Sequence, residues 1–230
     1  MERYTRQIIL PELGKEGQQR LQRAKVLIVG VGGLGSPIAL YLAGAGVGTI
    51  GVMDDDAVSI SNLQRQVLYD EADIDLPKAL RAKTRLQALN SEITIHAHPA
   101  RLTPENAEGI IREYDIIVDG CDNFATRYLI NDTCVRLGKV YVYGAIRAFD
   151  GQVSVFNYNG GPDYRHFFPD EEEMLSMPRP PKGVLGVTPG IVGCVEAAEV
   201  LKIIGGYGEV LSGKLWIIDL KTMQTHLVSL

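Results

Sequence analysis

Residues 25–35 read Lys-Val-Leu-Ile-Val-Gly-Val-Gly-Gly-Leu-Gly, and this stretch decides the fold. Its uninterrupted apolar run, 25–29, is typical of a strand buried on both faces of a parallel sheet. Residues 36–45 follow as a predicted helix, with Ser36 placed to cap it. Glycine permits both a tight strand-to-helix turn and close backbone approach to a ligand. The stretch therefore predicts a phosphate-binding turn at Gly30, Gly32, Gly33 and Gly35, although such turns also occur for packing alone.

Outward from this unit, strand and helix patterns alternate along the chain. Further strands are predicted at 49–53, 93–97, 115–119, 140–143 and 152–156, and helices at 77–90, 104–113, 123–137 and 192–204. Such alternation predicts an α/β fold of Rossmann type with a largely parallel sheet. Two last strand patterns, 214–219 and 225–228, predict an antiparallel C-terminal extension. The whole chain, 1–230, is predicted to be one domain, with an N-terminal helical segment at 1–23 and a crossover loop or lid at 157–190.

An acidic residue follows the glycine turn at the distance typical of a ribose-binding site. Asp54 ends the second predicted strand, and a carboxylate at that sheet edge accepts hydrogen bonds from two ribose hydroxyls. Asp54 lies in the run Asp54-Asp55-Asp56, which would otherwise be a solvated acidic turn. We prefer the solvated interpretation for Asp55 and the ribose-binding one for Asp54.

The segment that follows this acid distinguishes between nucleotides. Residues 61–66 read Ser-Asn-Leu-Gln-Arg-Gln, and such a segment has no role in binding a nicotinamide cofactor. Its polar side chains suit a triphosphate, and Arg65 and Lys78 are the cations within reach of one. A surface salt bridge is the alternative for each cation taken alone.

A second acid is predicted at the same edge of the sheet. Asp122 lies in Asp119-Gly120-Cys121-Asp122-Asn123, directly after a predicted strand. Its carboxylate could hold Mg²⁺ between phosphates through oxygen ligands. It could also cap the helix that begins at Asn123, since aspartate is a favoured capping residue, and the two roles are compatible.

Composition limits the class of protein. The chain has 230 residues, 46% of them hydrophobic, and a formal net charge of −5, which argues weakly against nucleic acid as the main partner. Its three cysteines form no CxxC pair, which excludes a cysteine-rich zinc site and suits a reducing compartment. The N-terminus lacks the apolar segment of a signal peptide, and no apolar run is long enough to span a bilayer. We therefore expect a cytoplasmic protein without a membrane partner.

As a set, these motifs resemble the ThiF/MoeB/HesA branch of the ubiquitin-activating-enzyme-like adenylyltransferases. The resemblance extends from Tyr4-Thr5-Arg6-Gln7 nearly to the end of the chain. It implies that Gly33 lies against ATP and that Asp54 binds its ribose. It also implies that the phosphates are held by Ser61, Asn62, Leu63, Gln64, Arg65 and Lys78. Asp56 and Gln66 would belong to the same cofactor site, and Asp122 with Asn123 would position Mg²⁺·ATP.

The resemblance also implies a reaction, a partner and an assembly. The C-terminal carboxylate of a small ubiquitin-like sulfur-carrier protein ending in Gly-Gly would attack the α-phosphate of ATP, giving an acyl adenylate and pyrophosphate. The catalytic residues would be Asp122, Arg65, Lys78 and Arg6. In the family an N-terminal arginine reaches into the partner subunit's site, so Arg6 implies a homodimer.

The chain departs from this family in its cysteines. Many relatives hold a structural zinc through two CxxC pairs; the first would fall at 163–166 and the second near the C-terminus, where no cysteine follows Cys194. Zinc is therefore not expected, and we interpret His166 as a hydrogen-bonded loop residue. No cysteine lies on the crossover loop, which contains Pro178-Arg179-Pro180-Pro181. We expect Cys121 and Cys194 to be structural.

Three alternatives stay open at this point. A dinucleotide-dependent oxidoreductase would explain the glycine turn and Asp54 but not 61–66, Lys78 or Asp122. A non-catalytic scaffold would explain the missing cysteines but not the retained cations and acids. An enzyme of the same family could adenylate a non-protein carboxylate. The carrier and its pathway, whether molybdopterin, tungstopterin, thiamine, cysteine or tRNA thiolation, are not determined by the sequence.

Overall fold

The computed structural model describes residues 2–177 and 183–229, which form an eight-stranded sheet with helices on both faces. The strands are β1 Lys25–Val29, β2 Thr49–Met53, β3 Thr94–His98, β4 Ile116–Asp119, β5 Val140–Arg147, β6 Asp150–Phe156, β7 Lys214–Asp219 and β8 Gln224–Ser229. The helices are α1 Thr5–Ile8, α2 Gly14–Arg23, α3 Gly35–Ala45, α4 Lys78–Leu89, α5 Pro104–Ile111, α6 Phe124–Leu137, α7 Tyr164–Phe167, α8 Glu171–Ser176 and α9 Val187–Gly205.

The order of the strands places a crevice at one edge of the sheet. The sheet runs β3-β2-β1-β4-β5-β6-β7-β8, with β1 to β5 parallel and β6 to β8 antiparallel. This confirms the predicted Rossmann-like mixed sheet with its antiparallel C-terminal extension. From β1 the chain builds outward to β3, and from β4 it builds outward in the other direction. Ligands of open α/β sheets bind at such a reversal point, beyond the carboxyl ends of the strands.

The glycine turn lies at this reversal point and depends on backbone packing. Gly30 has a φ of +91°, a conformation that favours glycine, and a Cβ added there would lie 2.6 Å from the carbonyl oxygen of Gly120. Gly35 begins α3, and a Cβ on it would collide with the carbonyl of Gly30. The backbone after β1 can therefore turn sharply into α3.

The core lies in two layers, one on each face of the sheet. Helices α2, α3, α4 and α9 cover one face, where aliphatic side chains predominate. Helices α5, α6 and α7 cover the other face, which is rich in aromatic side chains: Tyr114, Tyr128, Tyr141, Tyr143, Phe156 and Tyr164. In this second layer the ring of Tyr114 occupies the space that a side chain at Gly51 of β2 would need, with its Cζ 2.5 Å from a Cβ added there.

Several predicted boundaries need correction. Ser36 does not cap α3; it lies inside the first turn, where its hydroxyl donates to the carbonyl of Gly32 at 2.7 Å. The predicted crossover loop, 157–190, contains α7 and α8 and the first residues of α9. Acidic residues stabilise its two short helices, since Asp163 accepts from the backbone N–H of His166 and Asp170 from that of Glu173. Residues 178–182 of this segment, including Pro178-Arg179-Pro180-Pro181, lie outside the described residues.

Among the described helices, none combines the length and the apolar character that crossing a membrane requires.

Candidate functional site

A cleft of about 1070 Å³ lies over the carboxyl ends of β1, β2, β4 and β5. Many predicted site residues line it together: Gly30, Gly32, Gly33, Asp54, Asp56, Asn62, Arg65, Gln66, Lys78, Asp122 and Asn123. They come from chain segments nearly a hundred residues apart. The parallel strands bring them to one edge of the sheet, which is what the sequence analysis predicted.

Asp54 is fixed by the glycine turn itself. Its carboxylate accepts from the backbone N–H of Val31 and from that of Asp56, both at 2.9 Å. Burial raises the pKa of this carboxyl, while Lys78 and the two N–H donors oppose the rise. Each carboxylate oxygen can accept a second hydrogen bond, so both oxygens can still receive ribose hydroxyls.

Lys78 is a buried cation at the first position of α4, and it is 4% exposed. Its Nζ lies 2.9 Å from the carboxylate of Asp56 and 4.0 Å from that of Asp54. The Asp56 side chain is itself 70% exposed, so Asp56 contacts the Lys78 ammonium group from the side that faces solvent. A phosphate entering the cleft can therefore displace Asp56 and take over the ammonium group.

Arg65 lies beside the glycine turn. Its Nη1 donates to the carbonyl of Ser61 at 3.1 Å, and its Cδ lies 3.5 Å from the position of a Cβ added to Gly33. That same position is 3.2 Å from the ring of Pro189 in α9. A side chain at residue 33 would therefore compete with both neighbours, whereas glycine leaves the guanidinium room to approach a phosphate.

Gln66 has an amide oxygen without a partner. The residue is 4% exposed, and its Oε1 accepts no hydrogen bond from the described part of the chain. Its Nε2 lies 3.3 Å from the position of a Cβ added to Gly32. A buried polar atom of this kind carries a cost unless something satisfies it, so the site has an unused hydrogen-bonding position next to the turn.

Asp122 and Asn123 have separate roles in the structure. Asn123, not Asp122, caps α6: its Oδ1 accepts from the backbone N–H of Thr126 at 2.9 Å. The alternative role considered for Asp122 is therefore wrong, and the side-chain oxygen of Asn123 is already used. Asp122 is exposed on the wall of the cleft, and it forms no ion pair with any described residue. Its carboxylate is available as an oxygen ligand for Mg²⁺, which prefers such ligands.

The structure does not bring every predicted residue to the cleft. Gly35 is buried in the first turn of α3 and serves packing. In the segment 61–66, Ser61, Leu63 and Gln64 do not line the cleft; Leu63 packs against the core, and Gln64 lies against Gly186. Arg6 is exposed on α1, and it makes no side-chain hydrogen bond or ion pair within residues 2–177 and 183–229. It contributes nothing to the cleft of its own chain.

A further set of residues lines the cleft without having been predicted from the sequence: Arg101, Arg127, Arg147, Asp150, Gln152, Phe168, Met174 and Met177. Arg127 is the one with a detectable signal, because it follows the Asp119–Asn123 motif in the first turns of a predicted helix. The others lie on the β5–β6 hairpin, on α8 and in loops, where the pattern of apolar residues gives no direction to a side chain.

Residues 163–166, where other relatives would have their first pair of zinc-binding cysteines, form the start of α7. Asp163 accepts from the backbone N–H of His166 at 3.0 Å and caps α7. All three cysteines are free thiols. Cys121, at the wall of the cleft, donates its thiol hydrogen to Asp119 at 2.7 Å. Burial raises the pKa of this thiol well above its ordinary value, and the charge of Asp119 adds to the rise.

Comparison with known proteins gives a consistent result. The ThiF family matches residues 4–230. The sulfur carrier protein adenylyltransferase of Thermus thermophilus is 52% identical over 225 residues, which cover 95% of this chain and 83% of that protein. The probable molybdopterin-synthase adenylyltransferase of Porphyra purpurea is 50% identical over 214 residues, or 92% of this chain and 56% of that protein, so this chain spans little more than half of its length.

A solved structure gives the same picture in three dimensions. The structure of E. coli MccB with AMPCPP and MccA superposes with a TM-score of 0.86, covering 99% of this chain and 71% of that one at 26% identity. The resemblance on which the sequence analysis relied is confirmed.

Proposed function

Because the chain belongs to the ThiF family, with relatives that are adenylyltransferases of sulfur-carrier proteins, we propose that it adenylates such a carrier at a C-terminal Gly-Gly carboxylate. ATP is the second substrate and Mg²⁺ the metal cofactor. The observation that carries the proposal is the cleft itself, where Asp54, Lys78, Arg65 and Asp122 surround one glycine turn. An oxidoreductase would need neither the two cations nor Asp122.

In the proposed reaction an oxygen of the carrier's terminal carboxylate attacks the α-phosphorus of ATP. The new bond joins that oxygen to phosphorus, and the bond from phosphorus to the bridging oxygen breaks, so its electron pair leaves with pyrophosphate. Both reactants are anions, so catalysis depends on positioning and on cations placed where negative charge increases. No enzyme nucleophile is required.

The chain's own residues divide these tasks. Asp54 orients the ribose, and Gly33 lets the phosphates lie against the backbone. Lys78 and Arg65 balance phosphate charge, Lys78 after exchanging Asp56 for a phosphate oxygen. Asp122 would hold Mg²⁺, which, when bound, neutralises the phosphates and stabilises departing pyrophosphate. The donor chemistry fits, because Asp122 offers an exposed carboxylate to the cleft.

We further propose a homodimer in which Arg6 acts in the partner's site. Arg6 makes no contact with its own cleft, and the adjacent apolar side chains Ile9 and Leu10 are 63% and 52% exposed. A partner subunit would cover this surface, and its Arg6 would add a further cation to the site. The proposal also takes residues 1–230 as one domain and the cytoplasm as its compartment, since the three cysteines are free thiols.

The test is ATP–pyrophosphate exchange with a carrier ending in Gly-Gly, and the control is the same carrier without its last two residues. Exchange should require the full carrier. Asp122→Ala should abolish exchange while the melting temperature stays the same, because the metal would lose its ligand. A stable Asp122→Ala protein with wild-type exchange would refute the role of Asp122. Hydride transfer to a nicotinamide cofactor without any exchange would favour the oxidoreductase alternative instead.

A further inference from the structure

Asp119 is a fully buried charge directly behind the cleft. It ends β4, and its carboxylate is saturated by four donors: the backbone N–H of Cys121 at 2.9 Å, the Cys121 thiol at 2.7 Å, Arg127 Nε at 3.0 Å and the Tyr141 hydroxyl at 2.9 Å. A buried charge is tolerated only with such compensation. Two of the four donors belong to the residue just before Asp122.

Arg127, the counter-ion of Asp119, reaches the same turn from α6. It is 7% exposed, and its Nη2 donates to the carbonyl of Cys121 at 3.1 Å and, at 3.4 Å, to that of Gly144 in β5. The guanidinium also lies 5.4 Å from the centre of the Tyr143 ring. Burial alone lowers the pKa of Arg127, but the adjacent charge of Asp119 reverses this and keeps the pKa well above its ordinary value.

The two residues together hold the peptide units on both sides of Cys121. Asp119 binds the N–H and thiol of Cys121, and Arg127 binds its carbonyl. On the other side of Asp122, the side chain of Asn123 is fixed as the cap of α6. The backbone of Asp122 is therefore fixed from both directions, while its carboxylate stays exposed to the cleft.

We propose that Asp119 and Arg127 are positioning residues, which preorganise the Cys121–Asp122 backbone so that the Asp122 carboxylate meets the Mg²⁺ that accompanies ATP. This inference rests on the proposed function. Its physical basis is entropic, because a turn held in place does not have to be ordered when the ligand binds. Ordering one residue's backbone changes an equilibrium constant by roughly five- to thirtyfold.

Arg127→Lys is the informative variant, because lysine retains the charge next to Asp119 but cannot donate to Asp119 and to the Cys121 carbonyl through a rigid fork. Arg165→Lys is the matched control. Arg165 makes a two-pronged pair with Asp132, also on α6, with both distances at 2.7 Å, and it has no contact with 119–123. Both variants lose a guanidinium fork at α6: Arg127 donates from α6, whereas Arg165 donates from α7 to Asp132 of α6 and also to Glu171.

The measurement is calorimetric binding of ATP to nucleotide-free protein, with and without Mg²⁺. The ratio of the two affinities is the gain in affinity due to the metal. We expect Arg127→Lys to reduce this gain by roughly five- to thirtyfold, in addition to any change in metal-free ATP affinity. Arg165→Lys should keep the wild-type gain. An Arg127→Lys protein that keeps the full gain, or that loses affinity equally with and without metal, overturns the proposal.

Two further variants separate the possible failures. Asp122→Asn should remove the gain in affinity due to the metal; if it does not, the proposed role of Asp122 fails, whatever Arg127→Lys shows. If Asp122→Asn removes the gain and Arg127→Lys keeps it, only the positioning role fails.

Should Arg127→Lys not fold, Tyr141→Phe removes one donor from Asp119 and leaves Arg127 in place. It should reduce the gain by roughly two- to tenfold, and an unchanged gain would count against the proposal.

Discussion

Gly30 and Gly120 are in direct backbone contact where β1 and β4 end. A Cβ on Gly30 would lie 2.6 Å from the carbonyl oxygen of Gly120, and one on Gly120 would collide with the carbonyl of Gly30. The glycine turn after β1 and the turn after β4, which carries Asp122, are therefore in contact without any side chain between them. The floor of the cleft depends on this contact.

Gly120→Ala should consequently destabilise the protein by about 1–3 kcal/mol, because overpacking against rigid backbone forces the strand ends apart. Chemical denaturation with a circular dichroism readout measures this change in the free energy of unfolding. The control is Gly109→Ala in α5, where an added Cβ meets nothing within 4 Å; it should stabilise the protein by about 0.5–1 kcal/mol. Equal effects of the two substitutions on stability would show that the close contact between Gly30 and Gly120 does not exclude a side chain at position 120.

Glu196 of α9 gives a prediction on pH. It is completely buried against Gly144, and neither carboxyl oxygen has a hydrogen-bond partner in the described part of the chain. Burial raises the pKa of this carboxyl well above its ordinary value of 4.5, and the charge of Asp119 adds to the rise. In the folded protein Glu196 therefore keeps its proton at a pH where the unfolded chain has lost it.

The sign of the effect follows from this difference. Stability from Glu196 is complete below the unfolded pKa and declines as pH rises towards the folded pKa, by about 1.4 kcal/mol per pH unit. Glu196→Gln removes this dependence on pH, so its free energy of unfolding should exceed the wild-type value by an amount that grows from about pH 5 upwards.

Glu199→Gln is the control, because Glu199 is buried but pairs with Lys202 and accepts from the N–H of Leu211. This substitution should destabilise the protein. A constant difference between Glu196→Gln and wild type across pH would contradict the assignment.

Metal analysis should find no stoichiometric zinc in the purified protein. Tetrahedral zinc requires about four nitrogen or sulfur ligands, and the chain has no CxxC pair and no cysteine after Cys194. Inductively coupled plasma mass spectrometry after dialysis against a chelator is the measurement. One equivalent of zinc that survives chelation would refute the prediction.

Arg6 and Asp122 should complement each other between subunits. Arg6→Ala and Asp122→Ala homodimers should each be inactive in pyrophosphate exchange, and mixing them should restore part of the activity, because one site of each mixed dimer then has both residues. Subunit exchange is verified with tagged chains. Absence of recovery in verified mixed dimers would argue that Arg6 acts within its own chain or not at all.

All three cysteines should be dispensable for adenylation. The raised pKa of Cys121 keeps its thiol protonated and poorly nucleophilic, and Cys134 is wholly buried. A variant with Cys121→Ser, Cys134→Ala and Cys194→Ala should lose about 1–3 kcal/mol of stability through small cavities. It should still place AMP on the carrier, as detected by mass spectrometry. A reducible carrier thioester on the wild type, lost with Cys121→Ser alone, would show that the thiol takes part in the chemistry.

Local patterns were enough to predict the parallel half of the sheet and the residues at its carboxyl edge. The apolar run before Gly30 and the acids after the strands gave Asp54 and Asp122 directly, because strand direction determines where such residues lie. The family motif 61–66 was less well resolved: Asn62, Arg65 and Gln66 line the cleft, but the turn directs Ser61, Leu63 and Gln64 away from it. Nothing in a polar run reveals which side chains a short turn exposes.

Tertiary contacts explain the rest of the differences. The helices within 157–190 are four and six residues long, too short for a periodic apolar pattern, and they form because aspartates cap them. Arg127 was not predicted because an arginine near a helix start is usually exposed. It is buried here because it pairs with the buried Asp119. Asp119 itself, an acid that ends an otherwise apolar strand, was the available signal.

The packing of Tyr114 against Gly51 has a consequence for how this sequence can vary. A glycine in the middle of a strand weakens it, yet no larger residue fits at position 51 while a tyrosine ring fills that space. The Tyr114 hydroxyl also hydrogen-bonds His98 at 2.9 Å, so the ring is not free to move aside. The two positions are therefore constrained as a pair: sequences with valine or alanine at 51 should carry a smaller residue at 114, and a library that randomises position 51 alone should return only glycine.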